Sequence, residues 1–294
     1  MTATLIDGTA IAAKVKAQVA ADANAFIEKT GQKPGLATVM VGENPASQAY
    51  VKSKRKACAE LGMESFGHEL PKTATQAEVE GLVAQLNADP NVHGILVQLP
   101  LPDHLNEERV LNAVGIEKDV DGFHPVNIGR LSMKGRKPLF VPCTPAGCIV
   151  LLEEAGAQFK GANAVVLGRS NIVGLPAAML LLHRDCTLTI CHSRSKDLPA
   201  ICREADILIA AVGRAQMVKK DWVKPGAYVI DVGINRVEDA TKKSGYRPVG
   251  DVDFDDVKEV AGALTPVPGG VGPMTIAMLM KNTLRAAQAA HGLI

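Results

Sequence analysis

The chain has 294 residues, 47% of them hydrophobic, with 32 Lys+Arg set against 31 Asp+Glu and a formal net charge of +1. That is apolar material for a large core at a length that fits two domains. A balance this even supplies neither a basic face for nucleic acid nor an acidic tail, and 3% aromatic residues are too few for platforms that stack single strands. The six cysteines form no CxxC, and none has a histidine at zinc-ligand spacing. They read as reduced, buried thiols in a cytosolic protein, and no metal site is expected. Asp7 and Gly8 interrupt Met1–Ile11 where a signal peptide would need an apolar stretch. The longest nearly apolar run, Ile172–Leu182, falls far short of the roughly 20 residues of a membrane span. A soluble, cytoplasmic protein with no membrane partner is the expectation.

Strand-like and helix-like segments alternate along the chain, which predicts α/β architecture with parallel strands and crossover helices. Leu36–Val41 is a short β-branched run. Ser47–Leu61 is helical in pattern and holds a basic stretch around Lys54. Lys52, Arg55 and Lys56 fit a solvated face. Lys54 differs: its neighbours three and four away are Tyr50, Val51, Ala57 and Cys58, so it shares the inward face. A lysine held there is partly desolvated, which favours the neutral amine and so a general base near neutral pH. The rival reading is a lysine whose stem merely passes the core, and the helix alone does not choose between them.

Glu64–Leu70 follows as a strand, and Gln76–Asn87 repeats Val79, Leu82, Val83 and Leu86 at helical spacing. Gly94–Leu99 is a buried strand ended by Pro100. Gln98 breaks its apolar run and needs a partner, which is Lys54, a ligand or a backbone group. In the turn Lys118–Gly122, one of the alternating aspartates, Asp119 and Asp121, would face a site and the other solvent; ordinary turn capping is the alternative. Arg130–Val141 is basic, contains proline and is weakly patterned, so the domain boundary falls there. The division expected is 1–139, a substrate domain, and 140–272, a Rossmann-like parallel-sheet domain. The final helix, residues 273–294, would pack back on the first domain, with a cleft between the two.

The second series runs through a helix at Pro145–Ala155, a strand at Asn163–Leu167, a helix at Val173–His183, a strand at Thr187–Cys191, a helix at Leu198–Glu204, and strands at Ile207–Val212 and Tyr228–Val232. Between the first strand and its helix lies Gly168-Arg169-Ser170, with Gly174 further on. Glycines at a strand-to-helix turn admit a phosphate to the helix N-terminus, although Ser170 stands where a middle glycine might be expected. The next strand ends in His192-Ser193-Arg194-Ser195. A carboxylate there would bind the ribose hydroxyls of NAD. Arg194, with Arg169 on the facing loop, suits a 2′-phosphate instead, so NADP is expected over NAD; otherwise both arginines are plain surface charges. Gly213, Asp231-Val232-Gly233 and Ile234 lie at later strand ends, where open parallel sheets bind ligands. Thr265–Thr275 holds three prolines and three glycines before the last helix, a stiff, closely approachable loop that reads as ligand-facing rather than as a bare linker.

Taken together these residues resemble the bifunctional methylenetetrahydrofolate dehydrogenase/cyclohydrolase family, over nearly the whole chain. The resemblance rests on Ser47–Lys54, GILVQLPLP at Gly94–Pro102, Lys118–Gly122, the loop Gly168–Gly174 and PGGVGPMT at Pro268–Thr275. It implies oxidation of 5,10-methylenetetrahydrofolate with NADP and hydrolysis of the methenyl product to 10-formyltetrahydrofolate. It implies that Lys54 is the catalytic lysine, that Gln98 hydrogen-bonds and tunes it, and that Asp121 binds the pterin. Tyr50, Gly270 and Pro273 would also meet substrate, and Gly168, Arg169, Ser170, Ser193, Arg194 and Ile234 would contact NADP. A homodimer through the cofactor domain is the family's habit. The alternatives are a dehydrogenase without cyclohydrolase activity, an NADP-dependent oxidoreductase of an unrelated substrate, and a non-catalytic NADP-binding regulator. No Walker-type loop is present, which argues against an ATP-dependent synthetase.

Overall fold

In the computed structural model, which describes residues 2–242 and 245–294, the alternating pattern resolves into two separate parallel sheets. The chain divides into two units. One comprises the chain up to Ala12 together with Thr144–Thr275; the other comprises Ala13–Cys143 and Ile276–Ile294.

In the second of these units, Gly35–Val41 is the middle strand of three, between Glu64–Leu70 and Gly94–Val97, all parallel. All seven residues of the middle strand are buried, as expected of a strand covered on both faces. The crossovers are the helices Pro45–Glu60 and Gln76–Ala88. Thr75 and Glu78 close a reciprocal capping box at the start of the latter, satisfying two donors that the first turn would otherwise leave free. One core joins Ala37 and Val39 to Val83, Ile95, Val97 and Val110. The strand predicted over Gly94–Leu99 stops at Val97, which leaves Gln98 just beyond its C-terminal end, where side chains can face a ligand.

The other unit carries a six-stranded sheet in the order Thr4–Leu5, Ala263–Leu264, Tyr228–Asp231, Ile207–Ala210, Asn163–Leu167, Thr187–Cys191, parallel throughout. From Asn163–Leu167 the chain goes first to the edge strand on one side and then to Ile207–Ala210 on the other. That reversal of direction is the switch point beside which open sheets of this kind bind ligands.

The sequence reading ran the first domain from residue 1. Instead Thr4 and Leu5 pair with Ala263 and Leu264, and the first residues belong to the six-stranded unit. A two-residue edge strand has no periodicity to announce it. A long helix and a strand pair were also not foreseen. The helix Gly8–Thr30 is rich in alanine, which blurs its apolar stripe. Asn235–Glu238 and Tyr246–Val249 form an antiparallel pair. Among the described residues no helix is long and apolar enough to cross a membrane.

Candidate active site

Lys54 lies on the helix Pro45–Glu60 in line with Ser47, Val51 and Cys58, all buried, and is itself only 7% exposed. Its Nζ donates to Gln98 Oε1 at 3.0 Å. Gln98 Nε2 in turn donates to Leu99 O at 2.8 Å, so the amide is oriented with its oxygen toward the lysine. Of the partners foreseen for Gln98, it takes both Lys54 and a backbone group. Burial pulls the Lys54 ammonium below the ordinary lysine range, and the Asp121 carboxylate opposes that fall. Burial pushes the Asp121 carboxyl up, with Lys54 opposing. The two therefore sense one another, and the cluster holds one acid and one base of shifted strength, an arrangement suited to proton transfer. Tyr50, one turn before Lys54, is half-buried, and burial raises its phenol.

The neighbouring turn corrects one expectation. Asp119 does not face solvent: it is 5% exposed and accepts from Phe123 N at 3.0 Å, His124 N at 2.8 Å and Asn127 Nδ2 at 2.7 Å. Its burial lifts the carboxyl to about 6. Asp119 builds the turn, and Asp121, two residues on, is left partly accessible. Sequence reasoning also missed Asn282. From the last helix its Nδ2 reaches Val120 O at 2.8 Å, Val141 O at 3.1 Å and Cys143 Sγ at 3.6 Å. It fixes the backbone next to Asp121. The available signal was an asparagine among Leu279, Met280 and Leu284, all buried.

In the six-stranded unit, Gly168 ends the strand Asn163–Leu167 at φ 125°, and a Cβ there would strike Ala211 O. A Cβ on Gly174 would strike Gly168 O. Both positions need glycine for this strand–turn–helix to close. Ser170 Oγ accepts from Val173 N and Gly174 N, each at 3.2 Å. The serine thus caps the helix Gly174–Leu182, and its O–H remains available to donate. Arg169, Ser193 and Arg194 are exposed. Among the described residues neither guanidinium has a carboxylate partner. A glycine cradle, a capped helix start and two free guanidiniums fit a nucleotide bearing a 2′-phosphate.

Two buried aspartates set the loops beyond the next strands, and the sequence reading assigned them no such role. Asp251 accepts from Val212 N, Gly213 N and Arg214 N at 2.6, 3.0 and 2.9 Å, and from Asn235 Nδ2 at 2.9 Å. Asp231 accepts from Gly233 N, Asp251 N and Val252 N; burial nevertheless pushes its carboxyl up to about 7. These bonds shape the backbone at Gly213 and before Ile234, whose side chain is 53% exposed. The proline–glycine loop is held from the chain start: Thr9 N donates to Gly269 O at 3.0 Å, and a Cβ on Gly8 would collide with Gly270 O. Pro273 lies in the first turn of the helix Val271–Ala290. Gly270 and Pro273 belong to this unit, while Tyr50, Lys54, Gln98 and Asp121 belong to the other. Among the described residues no cluster of His, Cys, Asp and Glu is arranged to hold a metal ion.

Comparison with known proteins bears on both units. Residues 6–121 match the tetrahydrofolate dehydrogenase/cyclohydrolase catalytic domain, and residues 142–291 match the NAD(P)-binding domain of the same family. The chain is 58% identical over 291 residues to bifunctional protein FolD 2 of Arabidopsis thaliana, covering 99% of this chain and 97% of that one. It is 56% identical over 288 residues to bifunctional protein FolD of Moorella thermoacetica, covering 98% and 100%. Among solved structures, the methylenetetrahydrofolate dehydrogenase-cyclohydrolase of Trypanosoma brucei, complexed with NADP cofactor and inhibitor, superposes with a TM-score of 0.96. Its identity is 42%, over 99% of each chain.

Proposed function

This chain belongs to the tetrahydrofolate dehydrogenase/cyclohydrolase family, and on that premise we propose that it carries both activities of that name. It oxidises 5,10-methylenetetrahydrofolate with NADP and hydrolyses the 5,10-methenyl product to 10-formyltetrahydrofolate. Gly168, Arg169, Ser170, Ser193, Arg194 and Ile234 would hold NADP, the two arginines selecting its 2′-phosphate, and the bound cofactor would supply the hydride acceptor.

The observation that carries the reading is the hydrogen bond from the buried Lys54 to Gln98. In methylenetetrahydrofolate one carbon bridges two nitrogens. Loss of hydride leaves a cation that those nitrogens delocalise, so the oxidation needs positioning more than it needs an acid or base. Asp121 recognises the pterin, with Tyr50, Gly270 and Pro273 against the folate. Hydrolysis is different: water adds to the same carbon, a proton must leave that water, and a ring nitrogen must take one as the ring opens. Lys54, oriented by Gln98 and biased toward the neutral amine by burial, moves those protons. The presence of both Lys54 and Gln98 favours the bifunctional enzyme over a dehydrogenase alone. The enzyme works in the cytoplasm as a homodimer, with the folate domain and the NADP domain divided near residue 140 and the last helix returning to the folate domain.

The test is a spectrophotometric assay of purified protein with methylenetetrahydrofolate and NADP, repeated with NAD, and with methenyltetrahydrofolate alone. NADP reduction with accelerated methenyl hydrolysis is expected. Reduction without hydrolysis would leave the monofunctional reading, and neither activity in folded protein would overturn the folate assignment.

A further inference from the structure

The six-stranded unit buries two carboxylates that the chemistry above does not use. Asp251 is fully buried and Asp231 nearly so, and among the described residues neither has a Lys, Arg or His partner. They are joined through the main chain, Asp251 N donating to Asp231 Oδ1 at 2.9 Å. Burial pushes the Asp231 carboxyl up to about 7, and Asp251 beside it adds to the rise. Two acids so close together without a cation cost stability. Two glycines make the room for them: a Cβ on Gly250 would strike the Asp231 carboxylate, and one on Gly233 would strike Asp251.

All that Asp251 accepts comes from two loops. Val212 N and Gly213 N donate to its Oδ2, and Arg214 N and Asn235 Nδ2 to its Oδ1. Its main chain is pinned in turn, Val218 N donating to Asp251 O at 3.0 Å. The loops 212–214 and 233–235 follow the C-terminal ends of the paired strands Ile207–Ala210 and Tyr228–Asp231. Both strands lie on the opposite side of Asn163–Leu167 from Thr187–Cys191, the strand that leads to Arg194. A dinucleotide that crosses the switch point with its 2′-phosphate at Arg194 lays its nicotinamide end against the loops on the other side. A loop that only had to close would need one capping side chain. Here one rigid carboxylate ties two loops, from two strands, to a single point.

Resting on the dehydrogenase/cyclohydrolase reading above, we propose that Asp251 is a positioning residue for hydride transfer. It fixes the two loops against which the nicotinamide lies, and so sets the depth and tilt of the ring without holding the adenosine end. Methenyl hydrolysis needs no nicotinamide, so Asp251 serves one of the two activities and not the other.

Asp251→Asn keeps the shape but turns one acceptor into an NH2 group, which meets N–H donors on either side. Dehydrogenase kcat should fall about 10- to 100-fold, the order for a misplaced reacting group, while KM for NADP barely moves. With deuterium at the methylene carbon, the isotope effect on kcat should be at least that of the parent, because hydride transfer limits turnover. Methenyl hydrolysis in the same preparation should match the parent, which also shows that the variant folds. Asn235→Ala removes one donor and leaves three; it should show the same split in smaller measure, and it decides alone if Asp251→Asn does not fold. The proposal fails if hydrolysis falls together with hydride transfer, if KM for NADP rises at constant kcat, if the isotope effect shrinks, or if folded variants keep the parent kcat. A parent protein that reduces no NADP would overturn the folate reading and this role with it, whereas an active parent with unaffected variants overturns this role alone.

Discussion

Lys54 Nζ and Gln98 Oε1 lie 3.0 Å apart, and the pair joins a helix face to a strand end. The helix supplies a buried amine, and the residue just past the strand supplies a fixed acceptor. Replacing Lys54 by Met keeps the length and apolar stem but removes the proton carrier. The expected result is a loss of cyclohydrolase kcat of at least 100-fold, within the usual range for general acid–base catalysis, with dehydrogenase kcat falling much less. Parallel loss of both activities, measured on the same preparation, would mean that Lys54 serves positioning in both steps.

The pH profile of methenyl hydrolysis tests the same group. If Lys54 acts as a base, the rate at saturating substrate rises with pH as the ammonium loses its proton, with a midpoint below the ordinary lysine value because burial disfavours the charged form. Asp121 opposes that shift. Asp121→Asn should therefore move the midpoint to still lower pH, separately from its effect on folate KM. A midpoint that stays put or moves up would contradict the coupling of these two residues.

Cofactor choice should reside in Arg169 and Arg194. Replacing Arg194 by Ser is expected to cut kcat/KM with NADP by about 10- to 100-fold, the order of one charge-assisted phosphate contact. The value with NAD should be left nearly unchanged, and the double variant should lose more. Equal losses with both cofactors would point to a folding defect or to a pyrophosphate contact.

Gly168 offers a stability test. At φ 125° and against Ala211 O, alanine meets both backbone strain and a collision with main chain. Gly168→Ala should cost about 1–3 kcal/mol or more and raise KM for NADP. Thermal unfolding without cofactor separates the two effects.

His93 makes an acid-stability prediction. Its ring pKa is pushed from 6.5 down to about 4 in the folded chain, first by burial and then by His291 and Lys118, with Asp89 opposing. A proton therefore binds the unfolded chain preferentially, so this contribution to stability is present above about pH 6.5 and is lost as pH falls toward 4. His93→Phe should flatten the dependence of melting temperature on pH across that window, whatever it does at pH 8.

How much of this was legible depended on whether a residue's role is set by near neighbours. Lys54 could be singled out because helical spacing places it beside Val51, Ala57 and Cys58, and all of these are buried. Gln98 stood out as a polar break in an apolar strand. Asp119 misled, because alternation of side chains is a rule for strands, whereas in a turn a carboxylate can fold back onto the following N–H groups. Asn282 and Asp251 act on backbone far away in sequence, and no local pattern reports such a bond. The Thr4–Leu5 strand is too short to carry a period, and its partner is distant.

That pairing has a consequence for how the chain is made. Thr4 and Leu5 leave the ribosome long before Ala263 and Leu264 are synthesised, an interval on the order of tens of seconds at about 5–20 residues per second. Thr4 and Leu5 therefore wait for that interval before their strand can be added. The Thr4–Leu5 edge of the six-stranded sheet closes only once Ala263 and Leu264 are available, so these two residues act as a late latch on that unit.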